Sequence, residues 1–260
     1  MIVFYFIICI AATMIGAITG VGGGVIIKPV LDAWSDMAIE SISFMSGCTV
    51  LAMSIVSILG VRKDGHLTFT GRGTWLALGA SVGGVVGKLV FQVIKSAASH
   101  EGLVGIVQNV IMVFLTLSVL LYVIYKNRIK SQSLQNPFAC IMVGWILGVV
   151  SAFLGIGGGP INLAVLYFFF SMEMKEAAIN SLYIILFSQA TSLISTFVTG
   201  VPAFSAPALA AMIAGGIVGG VSGRKIAGKL SDQKTEYVFR ILLVGISLIS
   251  VYNIFHYIGS

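Results

Sequence analysis

The chain has little charge. Nine acidic and 15 basic residues make up 9% of 260 positions, against 58% hydrophobic residues and a mean hydropathy of +1.05. That composition excludes a soluble domain closed around one core and indicates an all-α polytopic membrane protein whose surroundings are the lipid bilayer. All nine acidic residues, from Asp32 to Glu236, fall between apolar runs or at their ends. No span is therefore expected to carry a buried carboxylate, and a carboxylate proton relay is not expected. Cysteine is also scarce. Cys9, Cys48 and Cys140 are odd in number, far apart and set in apolar runs, which excludes a disulfide framework and thiolate-metal spacing. His66, His100 and His256 share no ligand spacing, so neither a metal nor another cofactor is expected.

Other absences narrow the function. The net charge of +6 is spread over short loops without a basic, aromatic-interleaved tract, so no nucleic acid is expected as a partner. The first 27 residues hold no Lys or Arg, hence no positive leader region, and the start of the chain is expected to be retained. Gly223 to Lys229 reads G-x-x-x-x-G-K, but Leu230 replaces the required hydroxyl residue and no strand precedes it, so a nucleotide-binding loop is not expected. No Ser/His, paired-Asp or His/Glu constellation lies within the apolar runs, which argues against an intramembrane enzyme. No linker is long enough for a separate soluble domain.

Glycine, by contrast, is abundant, and it organises the chain. Gly20-Val21-Gly22-Gly23-Gly24 returns as Gly155-Ile156-Gly157-Gly158-Gly159, an offset of 135 residues. The offset also pairs Ser46 with Ser181, Ser57 with Ser192, Gly65 with Gly200 and Phe69 with Phe204; one inserted residue later it pairs Lys88 with Arg224. The chain is thus a duplicated unit, with residues 1–130 as the first membrane repeat and 131–260 as the second, in one integral membrane domain. Each repeat holds about four hydrophobic segments, the first of them broken by glycines. Four glycines among five residues cannot sustain a regular helix, because each costs about 1 kcal/mol relative to alanine. The backbone groups so freed need partners in protein or in a wet cavity.

Residues 2 to 33 form one interrupted apolar stretch of 32 residues, too long for a single straight crossing of a core roughly 30 Å thick. It must bend, tilt strongly or turn back. Charge placement discriminates among these. If each broken stretch makes a hairpin without net crossing, twelve of the 15 basic residues share one side and only Lys28, Lys88 and Lys95 lie opposite; single crossings would split them nine to six. The hairpin gives each half an odd number of crossings, so the two repeats are expected to be inverted, the plan of many secondary transporters. Both termini would then lie opposite the cytoplasm.

Two further patterns name candidate residues. Gly79, Gly83 and Gly87, and in the second half Gly215, Gly219 and Gly223, place small residues four apart on one helix face. The two stripes are expected to pack backbone to backbone at the centre of the bundle. Pro160 suits the first turn of a helix starting directly after the second break, with its counterpart near Val25. Two half-helix N-termini facing inward would offer free N–H groups at Gly22, Gly23, Gly24, Gly157, Gly158 and Gly159 to a small anion. Strained turns satisfied by neighbouring protein are the bland alternative. Lys28, one turn past the first break, either attracts the anion or snorkels. Ser46, Thr49, Asn162, Asn180, Ser181 and Gln189 are uncharged groups able to complete an anion's oxygen shell, although Ser and Thr often bond their own helix.

The stretch Gly16-Ala17-Ile18-Thr19-Gly20-Val21-Gly22-Gly23-Gly24, with Pro29 beyond it, and Ser151-Ala152-Phe153-Leu154-Gly155-Ile156-Gly157-Gly158-Gly159-Pro160 resemble the paired signatures of the sulfite exporter TauE/SafE family. Ala178-Ile179-Asn180-Ser181 and the glycine-rich third segments ending in a basic residue are similar as well. The chain departs from the family pattern at Met45-Ser46-Gly47 and Asn180-Ser181-Leu182, where small Gly-Thr-Ser stretches are expected. The resemblance implies a transporter or exporter of sulfite, an organosulfonate or a related sulfur or carboxylate anion in a bacterial cytoplasmic membrane. A coupling proton or sodium ion and a homo-oligomer are left open, as are a passive channel and a partner subunit.

Overall fold

The computed structural model describes residues 2–35, 37–63, 71–97 and 101–259, with backbone alone at 101 and 127. Gly65, His66, Phe69, His100, Asp36, Asp64 and Ser260 lie outside the described residues. The described residues form ten α-helices in order: α1 Ile2–Thr19, α2 Gly24–Trp34, α3 Ile39–Lys63, α4 Gly71–Ala97, α5 Glu101–Tyr125, α6 Pro137–Leu154, α7 Pro160–Phe170, α8 Met174–Thr199, α9 Ala206–Lys229 and α10 Asp232–Gly259. Among the described residues there is no strand. Eight of the helices are long and apolar enough to cross a bilayer. The protein is an all-helical, integral membrane protein. Several helices outrun their apolar segments, because charged ends such as Arg62-Lys63 on α3 and Asp232 on α10 continue the helical backbone past the hydrocarbon.

The two short helices, α2 and α7, have 11 residues each, about half a bilayer crossing. Each follows a glycine break in which repeat-equivalent glycines take the left-handed conformation: Gly20 (φ 78°) with Gly155 (66°), and Gly22 (86°) with Gly157 (76°). A β-carbon at these four would be strained, so the repeated spacing encodes a repeated turn. At the first break the chain folds back on itself. A Cβ on Gly23 would lie 3.0 Å from Thr13 Cα, whereas ten residues of straight helix separate their ends by about 15 Å. Pro160 and Pro137 both occupy first-turn positions, and Asn136 caps α6 by accepting from the Phe138 N–H at 2.9 Å.

The glycine stripes do pack backbone to backbone, but not against each other. The α4 stripe lies on α6: Cβ atoms on Gly79, Gly83 and Gly87 would meet the backbone at Ile141, Trp145 and Val149. The α9 stripe lies on α1, with Gly215, Gly219 and Gly223 against Phe6, Ile10 and Met14. This corrects the expected pairing of the two stripes. The reason lies on the partner faces: Gly144 and Gly148 of α6 are themselves closed against Leu76 and Ala80 of α4, so two smooth surfaces meet. Each stripe therefore holds the broken helix of the other half of the chain.

These contacts also give directions. Residue numbers rise together along α1 and α9, along α4 and α6, along α3 and α9 (Thr49 to Gly216, Met53 to Gly220) and along α4 and α8 (Gly73 to Asn180, Gly84 to Ser188). They run oppositely along α3 and α8, where Phe44 meets Phe197 with ring centroids 6.1 Å apart and Gly47 approaches Gln189 and Leu193. Helices α5 and α10 close the outside of the bundle against each other, and α10 also covers α2.

Candidate functional site

The two glycine breaks meet in the interior. A Cβ on Gly24 would strike the Ile156 carbonyl, and one on Gly158 would lie 3.3 Å from the Val21 carbonyl oxygen. Between them sit Val50 of α3 and Ile185 of α8, repeat-equivalent aliphatics that are both fully buried. Ile185 Cδ1 lies 3.2 Å from the Cβ position of Gly22, and Val50 Cγ1 lies 2.7 Å from that of Gly157. The centre is thus closed and apolar, with the breaks gripped by two hydrophobic side chains.

Polar groups border this plug. Ser181 Oγ donates to the Gly20 carbonyl at 2.6 Å, satisfying a backbone acceptor that the break has freed. Gln189 runs between the breaks and α3: its Cδ lies 3.2 Å from the Cβ position of Gly157 and its Oε1 lies 2.9 Å from that of Gly47. The buried oxygens Ser43 Oγ, Ser46 Oγ, Ser54 Oγ and Asn162 Oδ1 find no hydrogen-bond partner among the described residues.

A cavity of about 330 Å³ opens beside the first break, lined by Ala17, Ser57, Val61, Ala178, Ile179, Arg224 and Ala227, with Lys175 at its margin. A second, of about 20 Å³, lies beside the second break and is lined by Ala152, Ser192, Thr196, Ser43, Phe44, Lys88 and Phe91. Taken in order, these are the same positions shifted by the repeat. The cavities sit at opposite ends of α3, because Ser57 and Ser43 are 14 residues and about 21 Å apart along it. They sit at opposite ends of α8 as well.

A family model described as sulfite exporter TauE/SafE matches residues 5–251, both breaks included. The chain belongs to the sulfite exporter TauE/SafE family. It is also similar to the probable membrane transporter protein YunE of Bacillus subtilis (strain 168), at 22% identity over 93% of this chain and 94% of that protein. No solved structure matches it.

In this TauE/SafE protein the structure gathers Gly22, Gly23, Gly24, Gly157, Gly158, Ser181 and Gln189 around the plug. Gly159 and Asn162 open α7 just beyond it. Thr49 turns away, donating to its own helix at Met45 O (2.8 Å) and lying against Gly216 of α9. Asn180 donates to Glu176 O at 2.9 Å and directs its other side-chain atom at Gly73 of α4, so it lines a helix contact.

Lys28 neither faces the plug nor snorkels. It is 3% exposed, donates to Gln108 Oε1 of α5 at 2.6 Å and stands 3.5 Å from Asp32 Oδ2. Asp32 is 5% exposed, which overturns the expectation that no carboxylate is buried. It ends an apolar run in sequence, yet the fold-back of α2 brings that end beneath α5 and α10, where Asn109 and Tyr257 flank it. The signal available was the i,i+4 spacing of Lys28 and Asp32.

Proposed function

We propose that this TauE/SafE protein is a secondary transporter of a small anion, of the sulfite, organosulfonate or carboxylate class, that works by alternating access between two inverted repeats. The carrying observation is the pair of repeat-equivalent cavities at opposite ends of α3 and α8, one of about 330 Å³ and one of about 20 Å³, separated by the glycine breaks. Repeat mates α3 and α8 run oppositely, and the partnerships of α1 with α9 and α4 with α6 set the remaining mates in the same relation. That supports inversion. The larger cavity carries Lys175 and Arg224 and sits at the ends of α3 and α9 that hold Arg62, Lys63, Lys225 and Lys229. By the positive-inside rule this end faces the cytoplasm, and both termini lie opposite, across a bacterial inner membrane.

In this reading the anion enters the wide cavity, drawn by its cations, and reaches the break through Ser57 and Ala178. It is then held by freed N–H groups at the breaks and by Gln189 and Ser181 while Val50 and Ile185 part. The opposite cavity opens as the first one closes. Proteoliposomes loaded with sulfite, methanesulfonate or acetate test this directly: saturable flux of at least one of them supports the reading, and single-channel conductance in its place replaces it with a pore. Thiol labelling of single cysteines at Lys63, Lys130 and Gly259 tests orientation. The first two should react from one side and the third from the other.

A further inference from the structure

A buried ion pair lies behind the second break, and its role rests on the anion-site reading above. Lys28 and Asp32 place opposite charges one turn apart on the buried face of α2, 3.5 Å from each other. Charge at this depth persists only when it is paired or faces a cavity. The Lys28 ammonium donates to Gln108 Oε1, and Gln108 Nε2 donates in turn to the Phe153 carbonyl at 2.6 Å. The pair is thereby tied to the wall of the narrow cavity, which Ala152, Phe153 and Gly155 line on its other side. Lys28 Cε lies 3.5 Å from the Cβ position of Gly155, with the Ser43 hydroxyl nearer still at 2.6 Å, so the end of the lysine side chain lies against the glycine and serine that line the narrow cavity.

Lys28, Asn109 and Tyr257 engage the carboxylate, but not through both of its oxygens. Asp32 Oδ1 is buried and finds no hydrogen-bond partner among the described residues. The titratable groups beside it are Lys28 on α2 and Tyr257 on α10. Helix α5 presents the neutral Gln108 and Asn109, and α10 adds Asn253, whose Nδ2 donates to the Pro29 carbonyl at 2.9 Å. From α3, Glu40 is engaged with Lys95 at 2.8 Å; α1 brings Tyr5 and Cys9, packed in the apolar cluster with Ile27 and Leu31. The repeat positions of Lys28 and Asp32 are Leu163 and Tyr167, so the second half carries no copy of the pair.

We propose that Asp32 is a proton-coupling site: a proton on its carboxylate removes the counter-ion of Lys28 and leaves the ammonium, beside Gly155, to hold the transported anion. Without the proton the pair is closed on itself and the anion meets no charged partner from α2. Proton and anion bind together, one proton passing from water to Asp32 for each anion held by Lys28, and both leave together. A monovalent anion then crosses without net charge, and a divalent one carries a single negative charge.

The full chain, purified in detergent, is titrated with sulfite, methanesulfonate and acetate in two buffers of different ionisation enthalpy, and each probe's own protonation is subtracted. Calorimetry then reads protons taken up per anion. The expected result is about one proton per anion, with affinity falling by up to about tenfold per pH unit. Asp32→Asn should still bind, take up no proton and lose the pH slope, whereas Lys28→Gln should bind at least tenfold more weakly. The double variant leaves no uncompensated charge, so it reports even where a single variant misfolds; it should bind weakly and independently of pH. Wild-type binding without proton uptake, or a pH slope that persists in Asp32→Asn or in the double variant, overturns the proton site and leaves the anion site standing. If none of the three probes binds wild type, the anion site falls and the proton site with it.

Discussion

The cavity at the Arg224 end and its counterpart at the Lys88 end are made from matched positions, yet one measures about 330 Å³ and the other about 20 Å³. Part of the difference lies in side chains. Where the wide cavity has Ala227, Ile18 and Ile179, the narrow one has Phe91, Phe153 and Phe44. Phe44 also packs at a tilt against Phe204 with ring centroids 5.3 Å apart, and Lys88 lies 5.2 Å above the Phe91 ring. At the same end Glu40 bridges to Lys95, whereas its repeat mate Lys175 is itself a cation and donates its backbone N–H to Asp232 (3.0 Å). An exposed ion pair is worth at most about 1 kcal/mol, so the aromatic filling is the stronger lock. Matched positions in a duplicated chain thus leave unequal space, because aromatic side chains fill one of the two cavities.

Both cavities depend most heavily on the helix contacts that support them. Gly83→Leu and Gly219→Leu would drive side chains into the backbones of α6 and α1, and each should abolish assembly, read as loss of monodisperse protein. Leucine at the neighbouring, exposed Val82 or Val218 should be tolerated. Equal tolerance at both kinds of position would remove the stripes from the supporting structure. Next comes the plug between the cavities. Gly158→Val collides with Ile185 and should end transport while leaving membrane insertion intact, measured by flux together with the amount of inserted protein.

Exchange of the fillings sharpens the contrast. Ala227→Phe should shrink the wide cavity, protect a cysteine at Ser57 from a small thiol reagent and slow flux about tenfold, equivalent to roughly 1.4 kcal/mol. Phe91→Ala should expose a cysteine at Ser192 that is unreactive otherwise. If neither reactivity changes, the filling is incidental and the volumes reflect helix positions alone. The smallest effect belongs to Lys175→Gln, which should weaken anion affinity two- to threefold at low salt and less at high salt, because a rim charge is screened within about 10 Å at 0.1 M.

Much of the scaffold was legible in the sequence. The breaks, the start of α7 at Pro160 and the stripe faces follow from glycine spacing and proline chemistry, which act locally. The partner of each stripe was not legible, since small residues four apart announce a close neighbour without naming it. The 135-residue offset carried the matched cavities without revealing that they were cavities, because Ala17, Ser57 and Ala178 read as ordinary small residues until three helices bring them together. The own-helix bonds of Thr49 and Asn180 were not legible either, because a hydroxyl or amide takes the carbonyl one turn back only when the fold brings no better partner within reach. Asp32 was underread because the end of an apolar run looks interfacial, and only the fold-back of α2 submerges it.

The crossed seating of the stripes also has a history in time. Helix α1 leaves the ribosome well before α9, which carries the face it needs about 200 residues further along the chain. At roughly 5 to 20 residues per second, α1 waits on the order of 10 to 40 s before that face exists. Helix α4 has a shorter wait, since α6 follows it within about 70 residues. Of the two stripe contacts, that of α1 is therefore the later to form, and α1 must dwell in the bilayer with one face uncovered until α9 has been made.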